Sequence, residues 1–257
     1  MGHQNIKGEM VPSLGLGTYR LTGETCVEAV GRALSMGYRH VDTAQMYGNE
    51  AEVGRGIRDS GVDRGEVFLT TKVWPSDYEH DRVVSTTRES LKKLRMEYVD
   101  LLLMHWPGEG VVPLGETLGA MRELQEGGSV RHVGVSNFSP ALTEEAAEHV
   151  GVFCNQVEYH VYRAQDALLD QARRMDYLLV AYRPLSRGNV EKDATLREIG
   201  EAHNKTAAQV ALRWLVQQEK VSAIPKATGE DHLRANLDVF DFGLTNEEMG
   251  RVSSLRG

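Results

Sequence analysis

The chain has 257 residues, 41% of them apolar and 26% charged, with a formal net charge of −8. That length suits one large α/β domain, 1–257, with a substantial buried core. The acidic balance argues against a general nucleic-acid binder, so any anionic ligand must find a local basic patch. Cys26 and Cys154 stand apart from any disulfide framework or Cys-x-x-Cys signature, and none of the nine histidines forms a pair at ligand spacing, so no metal is expected. No signal segment and no apolar run approaching about 18 residues is present, which predicts a cytoplasmic protein without membrane contact.

In chain order, 4–12 reads as a short hairpin ahead of the main fold. A strand over 14–18 and a helix over 25–36 follow, the helix with apolar residues at 26, 27, 30, 33 and 34. A strand from 38 delivers Asp42 to its C-terminal end, and a turn presents Tyr47. Asn49 then stands as N-cap of a helix near 49–59, with Glu52 as its capping-box partner. The β-branched and aromatic run 67–72 is a strand, 80–95 a helix, and 99–104 a continuous apolar strand of the kind buried on both faces. Helices near 114–127, 139–149 and 165–175 alternate with strands at 132–135, 153–158 and 178–182. Two helices, 193–203 and 206–219, precede a strand at 222–225, and helices at 230–240 and 245–255 close the chain.

Eight strands alternating with helices imply a parallel sheet, and eight repeats predict a closed (β/α)8 TIM barrel with an N-terminal hairpin and two extra helices. The rival, an open doubly wound sheet, would carry G-x-G-x-x-G after its first strand; here Gly15-Leu16-Gly17 is followed by Thr18 and Tyr19. In a barrel the C-terminal strand ends meet at one mouth, and those ends carry Asp42, Lys72, His105-Trp106, Ser136-Asn137, Gln156, Tyr182 and Lys226. Lys72 lies within Thr-Thr-Lys-Val-Trp, so its ammonium needs a buried partner, and Asp42 is the carboxylate of the neighbouring strand. The residues alone leave two readings: an acid–base site with Tyr47, or a structural ion pair beside a satisfied histidine.

These motifs resemble those of the aldo-keto reductases, in order and spacing over nearly the whole chain. They are Gly15-Leu16-Gly17-Thr18, Asp42-Thr43-Ala44 through Tyr47-Gly48-Asn49-Glu50, Thr71-Lys72, His105-Trp106-Pro107, Gly134-Val135-Ser136-Asn137-Phe138, Asn155-Gln156-Val157-Glu158 and Ile224-Pro225-Lys226. The resemblance implies a metal-free barrel that reduces aldehydes and ketones with NADPH, or NADH. It implies Tyr47 as proton donor, Lys72 as the cation that stabilises its phenolate, Asp42 as the anchor of Lys72, and His105 as the donor that orients the substrate oxygen. Beside Lys72, the Tyr47 phenol is expected to move toward working pH. The same resemblance implies Ser136, Asn137 and Gln156 on the nicotinamide carboxamide, Tyr182 stacked on its ring, and Lys226, His232 and Asn236 at the adenosine end. Tyr19, Trp74 and Trp106 would wall the substrate pocket, although rim packing also explains such aromatics.

Three departures qualify the resemblance. Ala227, His232 and Ala235 stand where the family often has Ser, Arg and Glu, with Arg234 offset by two from the arginine position. Arg183 follows Tyr182 where a small residue is usual; strand alternation sends its side chain outward as a structural residue, unless Pro184 turns it to the mouth. The segment 107–113 is short and no family-type tail follows Gly257, so an open mouth is expected. The shortened loops are similar to those of small bacterial members that reduce methylglyoxal and keto-sugar acids such as 2,5-diketo-D-gluconate. A monomer acting on a small carbonyl compound is expected. The alternatives are a non-catalytic, cofactor-sensing or structural barrel, which the intact set of four disfavours, and a metal-dependent barrel enzyme, for which ligands are lacking.

Overall fold

The computed structural model describes residues 2–108 and 110–256. Two antiparallel strands, β1 (His3–Ile6) and β2 (Glu9–Pro12), come first. Their two-residue loop, Lys7 at φ 50° and Gly8 at φ 86°, has the left-handed pair that matches hairpin twist. The main sheet then runs β3 (Leu16–Gly17), β4 (His40–Asp42), β5 (Phe68–Val73), β6 (Val99–Met104), β7 (Val130–Ser136), β8 (Cys154–Glu158), β9 (Leu178–Tyr182) and β10 (Val221–Ala223). All seven successive pairings are parallel, and neighbours in sequence are neighbours in the sheet. The last strand returns to the first: the Gly15 N–H donates to Ala223 O at 2.9 Å, the Ala223 N–H to Ser13 O at 2.9 Å, and the Gly17 N–H to Pro225 O at 3.2 Å. The sheet is thus an eight-stranded (β/α)8 barrel with no free edge.

Among the described residues ten α-helices accompany it: α1 (Gly23–Ser35), α2 (Glu50–Asp59), α3 (His80–Leu94), α4 (Leu114–Glu126), α5 (Pro140–Ala147), α6 (Asp166–Met175), α7 (Ala194–His203), α8 (Ala207–Val216), α9 (Glu230–Leu237) and α10 (Asn246–Ser253). α7 and α10 are the two beyond one helix per strand. Strand alternation divides the core. On β6, Leu101 and Leu103 point into the bore, while Leu102 and Met104 pack on helices. Phe68, Phe153, Leu178, Val180 and Ile224 fill the bore, and Ile6 and Val11 of the hairpin join the same cluster.

The glycines of Gly15-Leu16-Gly17 face this crowded bore. A Cβ at Gly15 would lie 2.7 Å from His40 Cγ, and one at Gly17 would lie 2.7 Å from Ile224 O, so the seam can close only without side chains there. The expected elements are all present, with shifted ends. α8 stops at Val216 rather than 219 because the chain must reverse into β10, which it does through Lys220 at φ 67°. The segment after β9, for which no element was expected, forms a tight run of 3₁₀ turns, Ser186–Lys192. Among the described residues no helix is long and apolar enough to cross a membrane.

Candidate active site

Asp42, Lys72 and His105 end three adjacent strand arms, and inward alternation aims all three at the mouth. Lys72 is fully buried; its Nζ donates to Asp42 Oδ1 at 2.6 Å and to Thr43 O at 2.8 Å, and lies 3.4 Å from the Tyr47 hydroxyl. The second Asp42 oxygen accepts from Gln156 Nε2 at 2.7 Å.

Tyr47 is presented by one 3₁₀ turn, Gln45–Tyr47, and Gly48 at φ 66° turns the chain back toward α2. Asn49 does begin that helix, but it does not cap it. No side-chain capping bond forms; the buried Asn49 amide donates to Thr18 O and Leu21 O, both at 2.9 Å, and its Oδ1 accepts from Thr43 Oγ1 at 2.7 Å. The local signal of an N-cap is overridden by a long-range clip joining the β3 and β4 loops. Glu50 beside it accepts from Thr71 Oγ1 at 2.6 Å, and burial raises its carboxyl above the usual range. The stretch from Asp42 to Glu50 is therefore a scaffold that fixes where the phenol stands.

Electrostatics follow from burial and from one cation. Burial draws the Lys72 ammonium down, but Asp42 and then Tyr47 outweigh it, so its pKa ends above the usual lysine value. Burial raises the Tyr47 phenol, and the Lys72 charge opposes this without cancelling it. The expected move toward working pH is thus reversed by desolvation in the protein alone. His105 is pushed down to about 3 by burial, with the Lys72 charge adding, so its ring is neutral at pH 7. Its Nδ1 is buried and unpartnered. A proton on Nε2 leaves no buried donor unpaired, which favours the tautomer able to donate.

Above this floor lies a cleft of about 680 Å³, within the range of ligand pockets. Its lining includes Tyr19, Asp42, Tyr47, His105, Trp106, Ser136, Asn137, Gln156, Tyr182 and Lys226, so most of the expected residues converge. Tyr19 lies with its ring 5.0 Å from Tyr47, and Trp74 stands edge-on to His105 at 5.0 Å, behind the lining rather than in it. Trp106 is gripped through its backbone: its N–H donates to Tyr78 Oη at 3.2 Å, and that hydroxyl donates to Trp106 O at 2.6 Å. Asn137, left-handed at φ 64°, donates to His105 O at 3.2 Å and Ser136 Oγ at 3.0 Å, and accepts from the Tyr182 hydroxyl at 2.8 Å. His232 and Asn236 lie on α9, outside the cleft lining; His232 is exposed and Asn236 is buried.

Sequence reasoning missed part of the wall. Arg20, Met46, Glu158, Leu185 and Arg187 also line the cleft. Arg183 does not follow strand alternation outward: φ 51° ends the strand, and the guanidinium reaches Glu158 at 3.4 Å on the cleft rim. Two arginines within five residues of a strand end were the available signal for Arg183 and Arg187. Arg32 of α1, also overlooked, reaches Thr228 O at 3.3 Å beside the Lys226 segment, whereas Arg234 is engaged with Glu230 at 2.9 Å.

Four cations, Arg20, Arg183, Arg187 and Lys226, share this cleft on a chain of net charge −8. Beside them sit two amides and the Tyr182 ring. That donor set fits a nicotinamide dinucleotide: cations for its phosphates, amides for its carboxamide, a ring face for stacking.

The comparisons agree with this architecture. A protein presented as a candidate 2,5-diketo-D-gluconic acid reductase B superposes with a TM-score of 0.97 at 49% identity, covering 100% of this chain and 92% of that one. The methylglyoxal reductase DkgB of Salmonella typhimurium is 39% identical over 249 residues, 95% of this chain and 93% of its own length. The glyoxal reductase of Bacillus subtilis is 38% identical over 251 residues, 96% of this chain and 90% of its own. The Aldo/keto reductase family matches residues 13–256. With that match spanning the barrel from its first seam residue to its last helix, the chain belongs to the aldo/keto reductase family, oxidoreductases that use NAD(P)H on small carbonyl compounds.

Proposed function

We propose that the chain, as a single barrel domain, reduces aldehydes and ketones to alcohols with NADPH, and that Tyr47 is the general acid. The observation that carries this reading is the contact chain Asp42–Lys72–Tyr47, at 2.6 and 3.4 Å, beneath an open cleft and beside an uncharged histidine.

A nicotinamide dinucleotide held in the cleft would supply the hydride. The protein's part is to receive the charge that hydride transfer leaves on the carbonyl oxygen. His105 Nε2 donates to that oxygen and fixes its direction, since a neutral ring can donate without competing for the proton. Tyr47 then gives up its hydroxyl proton, and Lys72 stabilises the phenolate left behind. Asp42 keeps the ammonium in place and offsets its burial. On the cofactor side, Ser136, Asn137 and Gln156 would take the carboxamide, Tyr182 would stack on the ring, and Lys226, His232 and Asn236 would hold the adenosine end. The names of the Salmonella and Bacillus relatives favour small dicarbonyls such as methylglyoxal, and the structural neighbour favours keto-sugar acids such as 2,5-diketo-D-gluconate. Tyr19 and Trp106, both exposed at the rim, would wall the substrate. We further propose a cytoplasmic monomer without nucleic-acid partners.

The test is loss of NADPH or NADH absorbance with methylglyoxal, 2,5-diketo-D-gluconate and an aromatic aldehyde. Turnover above the uncatalysed rate is expected with NADPH. Binding without turnover on any carbonyl would make the chain a cofactor-sensing barrel instead.

Lys226 is the cleft cation nearest in sequence to α9, and phosphate pairing is charge-assisted. Lys226→Ala should raise the Kd for NADPH about tenfold, or roughly 1.4 kcal/mol, with little effect on NADH. His232→Arg should tighten NADPH. Equal effects on both cofactors would move the phosphate site to Arg32.

Arg183 points along the rim to Glu158, away from the Lys226 side of its strand. Arg183→Ser is therefore expected to raise KM for keto acids about fivefold, the screened worth of roughly 1 kcal/mol for a half-exposed pair. Methylglyoxal should be unaffected. Weaker binding of NADPH and NADH together would instead put Arg183 on the pyrophosphate.

A further inference from the structure

The bond from Gln156 to Asp42 joins residues 114 apart in sequence and crosses the barrel. β4 and β8 stand four places apart in a closed sheet of eight, so they are opposite walls. The bond therefore spans the bore as a strut under the cleft. Its donor is unambiguous. Asp42 is paired with an ammonium and as a carboxylate can only accept, so the amide must present its NH₂.

Both ends of the strut are anchored. The Gln156 backbone carbonyl accepts from Ser136 Oγ at 2.8 Å and from the Asn137 N–H at 2.9 Å, which tie it to the adjoining strand. Gln156 and Asp42 are 2% and 1% exposed, so both groups are largely shielded from solvent. Held at one oxygen, a carboxylate can rotate; held at both, it cannot. The contact that depends on this orientation is the longest in the chain, 3.4 Å from Lys72 Nζ to the Tyr47 hydroxyl. A small drift of the ammonium toward Asp42 would end it.

We infer that Gln156 is a positioning residue for proton transfer: it fixes Asp42 across the bore and so sets how far Lys72 reaches toward Tyr47. This inference rests on the carbonyl-reduction reading, and it adds a second task to the cofactor contact proposed for the same side chain. The two tasks use different atoms, Nε2 for Asp42 and Oε1 for any ligand in the cleft.

Gln156→Met keeps the length and removes the donor. With Asp42 less neutralised and drawing Lys72 back, Tyr47 becomes a weaker acid. The expected result is a fall in kcat of about tenfold, a fraction of the roughly 10²–10⁴-fold a positioned acid supplies, with the alkaline limb of the kcat profile moved to higher pH. Gln156→Glu restores the strut conditionally. Below its ionisation the introduced carboxyl donates to Asp42 as the amide does; above it, two facing carboxylates repel. Turnover of this variant should exceed that of Gln156→Met at low pH and fall as pH rises, a limb absent from Gln156→Met.

Two readouts do not depend on turnover. NADPH binding, followed by fluorescence, isolates the cofactor contact. The ultraviolet tyrosinate signal, compared with and without Tyr47→Phe, should show Tyr47 ionising at higher pH in Gln156→Met than in the wild-type background. Unchanged kcat and Tyr47 ionisation with weakened NADPH binding would overturn the inference, leaving Gln156 a cofactor contact only. Identical pH profiles for the two variants would overturn it as well. If Gln156→Met fails to fold, the pH profile of Gln156→Glu decides alone. A wild-type protein that reduces no carbonyl would overturn the functional reading, while the tyrosinate comparison would still test the strut.

Discussion

Tyr47→Phe is expected to abolish carbonyl reduction while NADPH binding and the fold survive. The phenylalanine ring keeps the packing of the phenol, with Tyr19 at 5.0 Å and His105 at 5.7 Å between ring centres. Lys72 loses its 3.4 Å contact but retains Asp42 at 2.6 Å and Thr43 O at 2.8 Å, so no buried charge is stranded. The change in stability should stay near the roughly 0.5–1.5 kcal/mol of one hydrogen bond. What disappears is the proton. Among the described residues no other group with a proton to give stands over the ammonium: His105, pushed down to about 3, is a neutral ring and a far weaker acid than an imidazolium. General acid catalysis is worth roughly 10²–10⁴-fold, so residual turnover above about a tenth of wild type would show that Tyr47 is not the donor. Turnover with each carbonyl, read beside NADPH fluorescence, separates lost chemistry from lost binding.

The barrel and the converging residues were legible in the sequence because both follow from periodicity. Strand and helix alternate eight times, and polar residues at strand ends must meet when such a sheet closes. The continuous apolar run at β6 marks a strand buried on both faces, but that Leu102 faces helices and Leu103 the bore appears only in the folded barrel. What could not be read were contacts that cross between strand ends. Asn49 has the sequence signature of an N-cap, yet it spends its side chain on Thr18 and Leu21, which come near only after folding. The Gln156–Asp42 strut links residues on opposite walls, and no local pattern encodes such a pair. Arg183 illustrates a third kind of limit. Alternation holds only while φ stays extended, and at φ 51° the guanidinium leaves the strand's rule and joins the cleft rim. The raised Tyr47 phenol shows a fourth. Adjacency to Lys72 predicts the sign of one contribution, but burial is larger, and burial is not visible until the turn is packed.

Lys72→Met is expected to lower turnover about as far as loss of the acid, and to move what remains along the pH axis. The two effects share one cause. The ammonium lowers the Tyr47 phenol against the rise imposed by burial, so removing it leaves burial unopposed and the phenol a poorer donor. The sign follows directly. A phenol with a still higher pKa stays protonated further into alkali, so the alkaline limb of kcat shifts to higher pH while the rate at neutral pH falls. Unchanged activity and pH dependence would reduce Lys72 to a structural residue. The stability cost must be separated from the chemistry, because Lys72 is fully buried and its loss leaves the Asp42 carboxylate held by Gln156 alone. Breaking a buried pair from one side costs about 3–5 kcal/mol, and Tm should fall accordingly. Adding Asp42→Asn removes the stranded charge. The double variant should recover most of the lost Tm yet none of the lost turnover, and its pH profile should resemble that of Lys72→Met. Recovery of turnover along with Tm would mean that the pair serves the fold, and that Tyr47 donates its proton without help from the lysine.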